Sequence, residues 1–387
     1  MSAPVRRPPT PDTQRWWPTA IVSAGVIAVC YGFARYAYGL FVPEFARVFG
    51  LTATGIGILG GVSTLGYTLG LLIAPRAASA NPRAATLAAG SCASVGLVFI
   101  GVSGPFVVVF GAGLLIAGAG AGLVSPGVAQ LIARSIAPAS QPRAQSCANT
   151  GTSLGLAASA FTPVLALGWQ SIWLGLGCTA AIVTAIAWMR LPRPAAQPAA
   201  AEPGVSWQRP GLALLLANSI LLGVTSAPYW SFSIDRVLRT GLDPAASGWF
   251  WLTIGLAGPV GGIVGALATR HGLTRANVWT WTIWAAGIMI LAIPTSGLPL
   301  ALVSAAIFGA TYMGLSGLCI LWAARLYTEA PALGVTLSFL GLGAGQTLGS
   351  PLAGIIADHA GLGIVFAATA TLSLTAWAQA HFRLRIA

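Results

Sequence analysis

One basic residue lies in the middle of a long apolar run near the start of the chain. Arg35 is the only charged side chain well inside any apolar segment, and Tyr31 and Tyr38 flank it. Because an α-helix turns by about 100° per residue, positions i, i+4 and i+7 lie on one face. The spacing therefore predicts a polar and aromatic face around a guanidinium that can hold an anionic group.

The depth of Arg35 leaves two interpretations open. With a rise of about 1.5 Å per residue and an end of the run near Pro43, Arg35 lies about 12 Å deep in a hydrocarbon core of about 30 Å. Charges at that depth are costly and usually face protein or water, which favours a central cavity. The alternative is that Arg35 snorkels to the outer interface or bonds backbone carbonyls.

Other polar and aromatic residues within apolar segments are secondary candidates for contact with a substrate. Hydrogen bonds between helices and anchoring at the membrane interface are the stronger explanation for any one of them. These candidates are Asn149, Ser226, Tyr229, Trp230, Tyr312 and Gln346.

The acidic residues give candidates for gating or coupling, all at the outer ends of apolar segments. Glu44 and Asp235 lie near Arg47 and Arg236, and Asp358 ends a later segment. Glu44 and Asp235 are candidates for a gate, paired with Arg47 and Arg236, or for a proton site, whereas solvated interface charges remain the alternative. Proton coupling, uniport and anion exchange all stay open.

The composition indicates which solvent surrounds the chain. Of 387 residues, 56% are hydrophobic and 7% are charged, and the mean hydropathy is +0.82. A soluble domain has roughly 25% charged residues, so the lipid bilayer is the expected solvent. The net charge of +12 comes from arginines that stand in ones and twos between apolar runs, which argues against nucleic-acid binding.

Catalytic and cofactor sites find no support in the sequence. The five cysteines lie in or beside apolar segments without C-x-x-C spacing, and the three histidines are far apart. These patterns exclude a disulfide frame and a metal centre. No nucleophile with a base and no paired carboxylates lie within the segments, so we expect neither an enzyme nor a cofactor.

Loop breakers and charges divide the chain into twelve apolar segments, which predicts an all-α membrane protein of two six-helix bundles. The expected domains are a tail at 1–15, a bundle at 16–190, a linker at 191–210, a bundle at 211–383 and a tail at 384–387. The predicted spans are Trp17–Phe41, Gly55–Ala74, Arg83–Val102, Phe106–Ile132, Ser146–Leu167, Ser171–Arg190, Gly211–Ile234, Ser247–Ala268, Val278–Ile293, Leu298–Leu326, Gly334–Ala357 and Gly363–Phe382.

The positions of the arginines predict the orientation. With the N-terminus inside, 15 of the 19 arginines lie on the cytoplasmic side, where basic residues of short loops are retained. We therefore expect an inner-membrane protein with both termini cytoplasmic, whose first span is a retained signal anchor. A monomer is expected.

An internal repeat appears at a shift of 191 residues. The shift places Gly32 on Gly223, Glu44 on Asp235 and Arg134 on Arg325. Two halves related in this way form a parallel repeat, and a transporter of that kind binds its substrate between the halves near the midplane.

Three segments carry a family resemblance. The run from Gly265 through Thr269-Arg270 to Gly272 resembles the major facilitator signature G-x-x-x-D-R-x-G, with Thr269 where the family has Asp. A related ending, G-x-x-x-D-x-x-G, contains Asp358, and the segment from Tyr31 to Pro43 looks like the opening helix of the YbfB/YjiJ-type facilitators. The resemblance implies the twelve-helix major facilitator fold and makes Arg270 and Asp358 gating candidates.

The expected function is secondary active transport of a small organic solute, anionic or amphipathic, by alternating access. A multidrug or metabolite efflux carrier is the alternative within this class. A channel or a non-transporting membrane receptor is the alternative from another class, and the two-half repeat favours a carrier.

Overall fold

Helices form the whole architecture of the described chain. The computed structural model describes residues 16–165, 167–194, 209–294 and 297–377, and these residues contain no strand. The predicted tails and most of the predicted linker lie outside the described residues.

Two consecutive sets of six helices run through the chain. The first set is α1 (Trp16–Leu40), α2 (Ala53–Ala80), α3 (Pro82–Val102), α4 (Val107–Ser135), α5 (Gln141–Ser159) and α6 (Trp169–Arg190). The second set is α7 (Leu212–Arg239), α8 (Ala246–His271), α9 (Leu273–Ile290), α10 (Leu298–Leu326), α11 (Pro331–Ala360) and α12 (Leu362–Ser373).

Length and composition separate these helices into two groups. Within the described ranges, 9 helices are long and apolar enough to cross a membrane. The other three, α5, α9 and α12, complete the two sets of six. Helix α5 begins with the polar run from Gln141 to Thr150 and is therefore not among the nine apolar helices.

The fifth span differs from its prediction. Residues Ser146–Leu167 were expected as one span, whereas α5 begins at Gln141 and ends at Ser159. A short 3₁₀-helix, Thr162–Leu165, follows and contains Pro163, which lacks the N–H that an α-helix needs. The hydropathy pattern left out the polar first turns of α5 and included the apolar residues that follow its end.

The boundaries of α2 and α3 follow from capping residues. The side chain of Thr52 accepts a hydrogen bond from the N–H of Gly55 at the start of α2. Asn81 accepts one from the N–H of Ala84 at 2.9 Å, and Pro82 is the first residue of α3. Such residues satisfy free N–H groups and stop α2 and α3 from forming one helix.

The two sets of helices pack with the same internal contacts. A Cβ built on Gly70 of α2 would lie 2.4 Å from the carbonyl oxygen of Ala119 in α4. A Cβ on Gly261 of α8 would lie 2.5 Å from that of Ala310 in α10. Both residues of the first pair lie 191 positions before those of the second, so the predicted duplication holds in three dimensions.

The two halves also pack backbone to backbone at the end of the bundle where α2 begins and α11 ends, here termed the Asp358 end. A Cβ on Gly57 would lie 2.4 Å from the carbonyl oxygen of Ser350, and one on Gly354 would lie 2.3 Å from that of Ala53. Glycine allows this approach because it has no side chain in the contact. The halves are therefore closed against each other at that end.

Candidate functional site

The centre of α1 is not an ordinary α-helix. Residues Ala28–Tyr36 form a π-helix, a rare conformation that is frequent at functional sites. The predicted α-helical face contained Tyr31, Arg35 and Tyr38, but the wider turn also brings Tyr36 against Arg35. The α-helical assumption behind that face was therefore wrong for this segment.

Arg35 lies at the interface between the two halves. Its side chain is 6% exposed, and its Nη2 donates a hydrogen bond to Oε1 of Gln346 in α11 at 2.6 Å. None of the ion pairs among the described residues includes Arg35. A buried guanidinium is thus satisfied by a neutral amide and not by a carboxylate.

Three tyrosine rings surround the guanidinium. The Cζ atom of Arg35 lies 3.5 Å from the ring centroid of Tyr67, 5.3 Å from that of Tyr36 and 5.6 Å from that of Tyr31. A cation is attracted to the face of an aromatic ring within about 6 Å. The N-terminal half therefore supplies both the cation and an aromatic cage for it.

A short hydrogen-bond chain orients Gln346. Ser226 donates its hydroxyl proton to the carbonyl oxygen of Gly223 at 3.1 Å. Its oxygen can then accept from Nε2 of Gln346 at 2.9 Å. The Tyr312 hydroxyl lies 3.5 Å from the same Nε2. Because the amide nitrogen is directed to these oxygens, Oε1 is left to accept from Arg35.

An aromatic contact crosses the interface beside this hydrogen bond. The rings of Tyr36 in α1 and Trp230 in α7 stack with centroids 4.1 Å apart and planes at 23°. The hydroxyls of Tyr36 and Tyr312 lie 3.4 Å apart. Two contacts of different chemistry, one polar and one aromatic, therefore join the halves around Arg35.

A small cavity of about 30 Å³ lies next to the guanidinium, which is room for a water molecule or two. Its lining consists of Arg35, Tyr36, Tyr38, Gly39, Gly60, Ser63, Thr64, Ala227, Trp230, Ser231, Gln346 and Ser350. Within the described residues no three His, Cys, Asp or Glu side chains group as metal ligands. The polar atoms of the cavity lining are the candidate binding groups.

Seven of the nine predicted binding residues come together around Arg35. Tyr31 contacts the guanidinium with its ring, and its hydroxyl lies 3.1 Å from Oγ of Ser125. Tyr38 lines the cavity and donates to the carbonyl oxygen of Ile56 at 2.8 Å. The cluster also includes Ser226, Trp230, Tyr312 and Gln346.

Two predicted binding residues lie elsewhere. Asn149 is exposed on α5 and accepts a hydrogen bond from Gln145 at 3.0 Å. Tyr229 points into the C-terminal half, where its hydroxyl lies 2.8 Å from that of Ser304 and its ring stacks on Phe308. Both make contacts within their own half, as the alternative explanation for such residues expected.

Asp358 joins the two halves. Its Oδ1 accepts from the N–H of Ala53 at 2.9 Å, and its Oδ2 accepts from the N–H of Thr54 at 2.9 Å. Ala53 and Thr54 begin α2, and a carboxylate at a helix N-terminus is favoured by free N–H groups and by the helix dipole. Asp358 therefore binds α2 of the opposite half from the end of α11.

The other acidic candidates form local pairs. Glu44 lies 2.6 Å from Arg47, both on one short helix. Asp235 pairs at 3.0 Å with Arg239, one turn on in α7. The predicted pairing of Asp235 with Arg236 was wrong, because adjacent residues point to different faces. Arg236 instead donates to the carbonyl oxygens at the end of α9.

Arg270 lies in the last turn of α8 and is exposed. Thr269, which stands where the signature has Asp, donates its hydroxyl to the carbonyl oxygen of Gly265 at 3.1 Å. Both residues belong to α8, so this hydrogen bond lies within one helix.

Sequence reasoning missed Tyr67, Tyr36 and Ser63. The predicted site was based on charged residues and on one face of α1, whereas Ser63 and Tyr67 are contributed by α2. Gly60, Ser63 and Tyr67 are spaced i, i+3 and i+7, which places them on one helical face. That small, polar and aromatic face was the signal that could have identified α2 as a wall of the site.

Twelve helices in two repeats of six, with a polar site between the halves, are the architecture of a major facilitator superfamily transporter. Residues 27–379 match the family described as "Uncharacterised MFS-type transporter YbfB". The chain belongs to that family, and it is a multi-pass membrane protein and not an enzyme.

Solved structures show the same fold. The chain is similar to the xylose transporter XylE from E. coli in an inward open conformation, with a TM-score of 0.76, 12% identity, and coverage of 95% of this chain and 95% of that chain. The nucleoside transporter NupG has a TM-score of 0.74 and 12% identity, with coverage of 95% of this chain and 98% of that chain. A bacterial homologue of the human lysosomal transporter Spinster, inward-facing and occupied, has a TM-score of 0.74 and 13% identity, with coverage of 96% of this chain and 97% of that chain. No curated protein matches the chain.

Proposed function

We propose that this protein is a secondary transporter of a small organic anion and that Arg35 binds the anionic group. The observation that carries the proposal is the guanidinium of Arg35, which is buried between the halves without a carboxylate partner. A charge inside a membrane protein is costly and usually serves a substrate or ion pathway. An anion supplies the opposite charge that Gln346 does not.

Binding requires the two halves to move. A cavity of about 30 Å³ is too small for an organic molecule, because ligand pockets measure about 300–1,000 Å³. An arriving anion replaces Oε1 of Gln346 on Arg35, since hydrogen bonds between two charged groups are roughly twice as strong as neutral ones. Substrate binding and separation of the halves are thus coupled through Arg35.

Alternating access requires the contacts between the halves to break, and those around Arg35 include one hydrogen bond and one aromatic stack. In the orientation that the arginines predict, the Asp358 end faces outward, so the conformation described is closed to the outside. Outward opening then breaks the contact of Asp358 with α2, the Tyr36–Trp230 stack and the Arg35–Gln346 bond. Glu44, Asp235 and Arg270 remain candidates for gating or proton coupling at the ends of the helices.

The proposed setting is the inner membrane, with both termini in the cytoplasm and the protein acting as a monomer. The excess of arginines in the loops on one side supports this orientation. Reporter fusions at the two ends test it, because an even number of spans places both ends on the same side and the arginine excess makes that side the cytoplasm. Reporters on opposite sides contradict it.

A transport assay tests the function. Purified protein is screened by thermal shift against organic anions and lipophilic drugs, and stabilising compounds are then followed as counterflow in proteoliposomes, with and without a pH gradient. We expect saturable counterflow of an anion that Arg35→Gln abolishes at unchanged protein level. Arg143→Gln, which removes an exposed arginine of α5, is the control and keeps activity.

The same assay separates the competing functions. Full anion transport by Arg35→Gln contradicts the role of Arg35. Transport of uncharged drugs that survives this substitution identifies an efflux carrier, and a flux without saturation or counterflow identifies a channel. Stimulation by an imposed pH gradient identifies protons as the coupling ion.

A further inference from the structure

Two hydrogen-bond donors next to Arg35 have no partner. Oγ of Ser63 and Nε1 of Trp230 are buried and make no hydrogen bond within the described residues. Ser63 is 3% exposed and Trp230 is 9% exposed, and both line the cavity with Arg35. Buried polar atoms are nearly always hydrogen-bonded, so an unsatisfied pair in one cavity indicates groups that a ligand completes.

The hydrogen-bonding groups of these side chains determine which groups a ligand must provide in this cavity. A guanidinium and an indole N–H can only donate hydrogen bonds, whereas a serine hydroxyl can both donate and accept them. Arg35, Trp230 and Ser63 can therefore all donate to one acceptor group. A carboxylate is acceptor-only when ionised, and its two oxygens offer about four lone-pair sites.

The aromatic contact of the site defines the part of the ligand next to the carboxylate. Tyr36 belongs to the N-terminal half and Trp230 to the C-terminal half, and their rings stack with centroids 4.1 Å apart. When the halves separate, the two ring faces part and become accessible. Aromatic rings favour offset stacking on another flat ring, so a flat group can stack on the exposed face of Tyr36.

The spacing of the two contacts connects the two parts. The Cζ atom of Arg35 lies 5.3 Å from the ring centroid of Tyr36. A ring stacked on Tyr36 therefore places a directly attached carboxylate within reach of the guanidinium. In the closed conformation, Gln346 occupies the position of the carboxylate, and the Tyr36–Trp230 stack occupies the position of the ring.

We propose that the substrate is a carboxylate bonded directly to a flat ring, an aromatic or heteroaromatic acid. Arg35, Ser63 and the N–H of Trp230 bind its oxygens, and the ring of Tyr36 binds one face of its ring. This inference rests on the proposed function as an anion transporter and specifies the class of anion.

The test compares ligands that differ only in flatness or charge. Benzoate, nicotinate and indole-3-carboxylate are titrated into the purified full-length protein in detergent, with cyclohexanecarboxylate and benzamide as matched controls. We expect an aromatic acid to raise the melting temperature and to bind about tenfold more tightly than cyclohexanecarboxylate, since an aromatic pair contributes up to about this factor. Benzamide, which has the ring without the charge, does not bind.

Variants assign the contacts. Trp230→Phe keeps a ring and removes the N–H, and Ser63→Ala removes the hydroxyl, so each weakens binding of the aromatic acid by about tenfold, the value of one hydrogen bond to a charged group. Trp173→Phe and Ser23→Ala are matched controls, because their buried N–H and hydroxyl also lack partners but do not line the cavity. The controls bind normally.

The outcomes separate this inference from the proposed function. Equal binding of benzoate and cyclohexanecarboxylate, both lost in Arg35→Gln, overturns the flat-ring substrate and leaves an anion transporter. Failure of all three aromatic acids to bind, with binding of another organic anion, also overturns it. Unchanged binding in Trp230→Phe and Ser63→Ala overturns the donor set, even if aromatic acids bind.

Discussion

The two halves of this transporter share one packing frame. A Cβ on Gly118 of α4 would lie 2.0 Å from the carbonyl oxygen of Ser63, and one on Gly309 of α10 would lie 2.3 Å from that of Ile254. Both positions of the first pair precede those of the second by 191 residues. Contacts between backbones are conserved between the halves because a larger side chain at either glycine separates the helices.

The halves differ in the side chains that they direct to the interface between them. The shift of 191 residues aligns Arg35 with Ser226, and Tyr67 with Gly258. The N-terminal half thus has a cation in an aromatic cage where the C-terminal half has a small hydroxyl and a glycine. A duplicated frame therefore carries a single asymmetric site, because equivalent positions have different chemistry.

The repeat also gives Trp230 an equivalent position in the N-terminal half. Trp230 aligns with Gly39 in α1, and a Cβ on Gly39 would lie 2.0 Å from the carbonyl oxygen of Trp230. The absence of a side chain in one half makes room for the backbone of the other. Gly39 and Trp230, which occupy equivalent positions, therefore make the closest glycine contact between the halves, and both line the cavity.

The largest expected effect comes from moving the cation to the other half. The double substitution Arg35→Ser with Ser226→Arg exchanges two equivalent residues and keeps the net charge. We expect anion binding to be lost as fully as in Arg35→Ser alone, since the C-terminal half has Gly258 where the cage has Tyr67. The affinity is measured by calorimetry, and restored binding in the double variant contradicts the importance of the cage.

Gln346→Glu places a carboxylate in the C-terminal half opposite Arg35. We expect it to pair with Arg35 and to weaken anion binding by about a hundredfold, because a charged group then competes with the substrate for the guanidinium. The melting temperature rises, since the new pair also holds the halves together. Gln346→Leu is the control, in which the competing acceptor is removed and the melting temperature does not rise.

The shared frame predicts equal losses of stability in the two halves. A Cβ on Gly32 would lie 2.1 Å from the backbone of Gly155, and one on Gly223 would lie 2.2 Å from that of Leu342. Gly32→Ala and Gly223→Ala are each expected to destabilise by about 1–3 kcal/mol through overpacking.

Thermal unfolding in detergent measures these losses. Gly175→Ala in α6 has no atom near the new Cβ and leaves the melting temperature unchanged or slightly higher. A loss confined to one half shows that the frame is not shared at these positions.

The smallest expected effect concerns the Asp358 end. Asp358 aligns with Leu167 in the N-terminal half, so this carboxylate contact exists on one side only. Asp358→Asn removes the negative charge at the start of α2 and is expected to weaken closure by about 1 kcal/mol. A single cysteine placed at that end then reacts about fivefold faster with a membrane-impermeant reagent, whereas Glu329→Gln, which changes an exposed carboxylate before the start of α11 at the opposite end, leaves the rate unchanged.

The sequence by itself determined the number of helices, the duplication and the identity of the one deeply placed charge. These properties depend on local facts, because hydrocarbon requires about 20 apolar residues for each span and a fixed shift aligns the halves without coordinates. The family was also recognisable from short motifs at the ends of spans. The number of helices and the membrane class were therefore predicted correctly, whereas predicted span ends such as Ala74 and Leu167 differ from the helix ends at Ala80 and Ser159.

Only the tertiary structure decided which side chains meet at Arg35. The wide turn of Ala28–Tyr36 added Tyr36, and packing of α2 added Tyr67 from the same half. Gln346, which accepts a hydrogen bond from Arg35, lies 311 residues away in the sequence. Such contacts depend on how each helix is rotated and on how the two halves dock. Rotation and docking are decided by the summed packing of many glycine contacts, which no single segment of sequence contains.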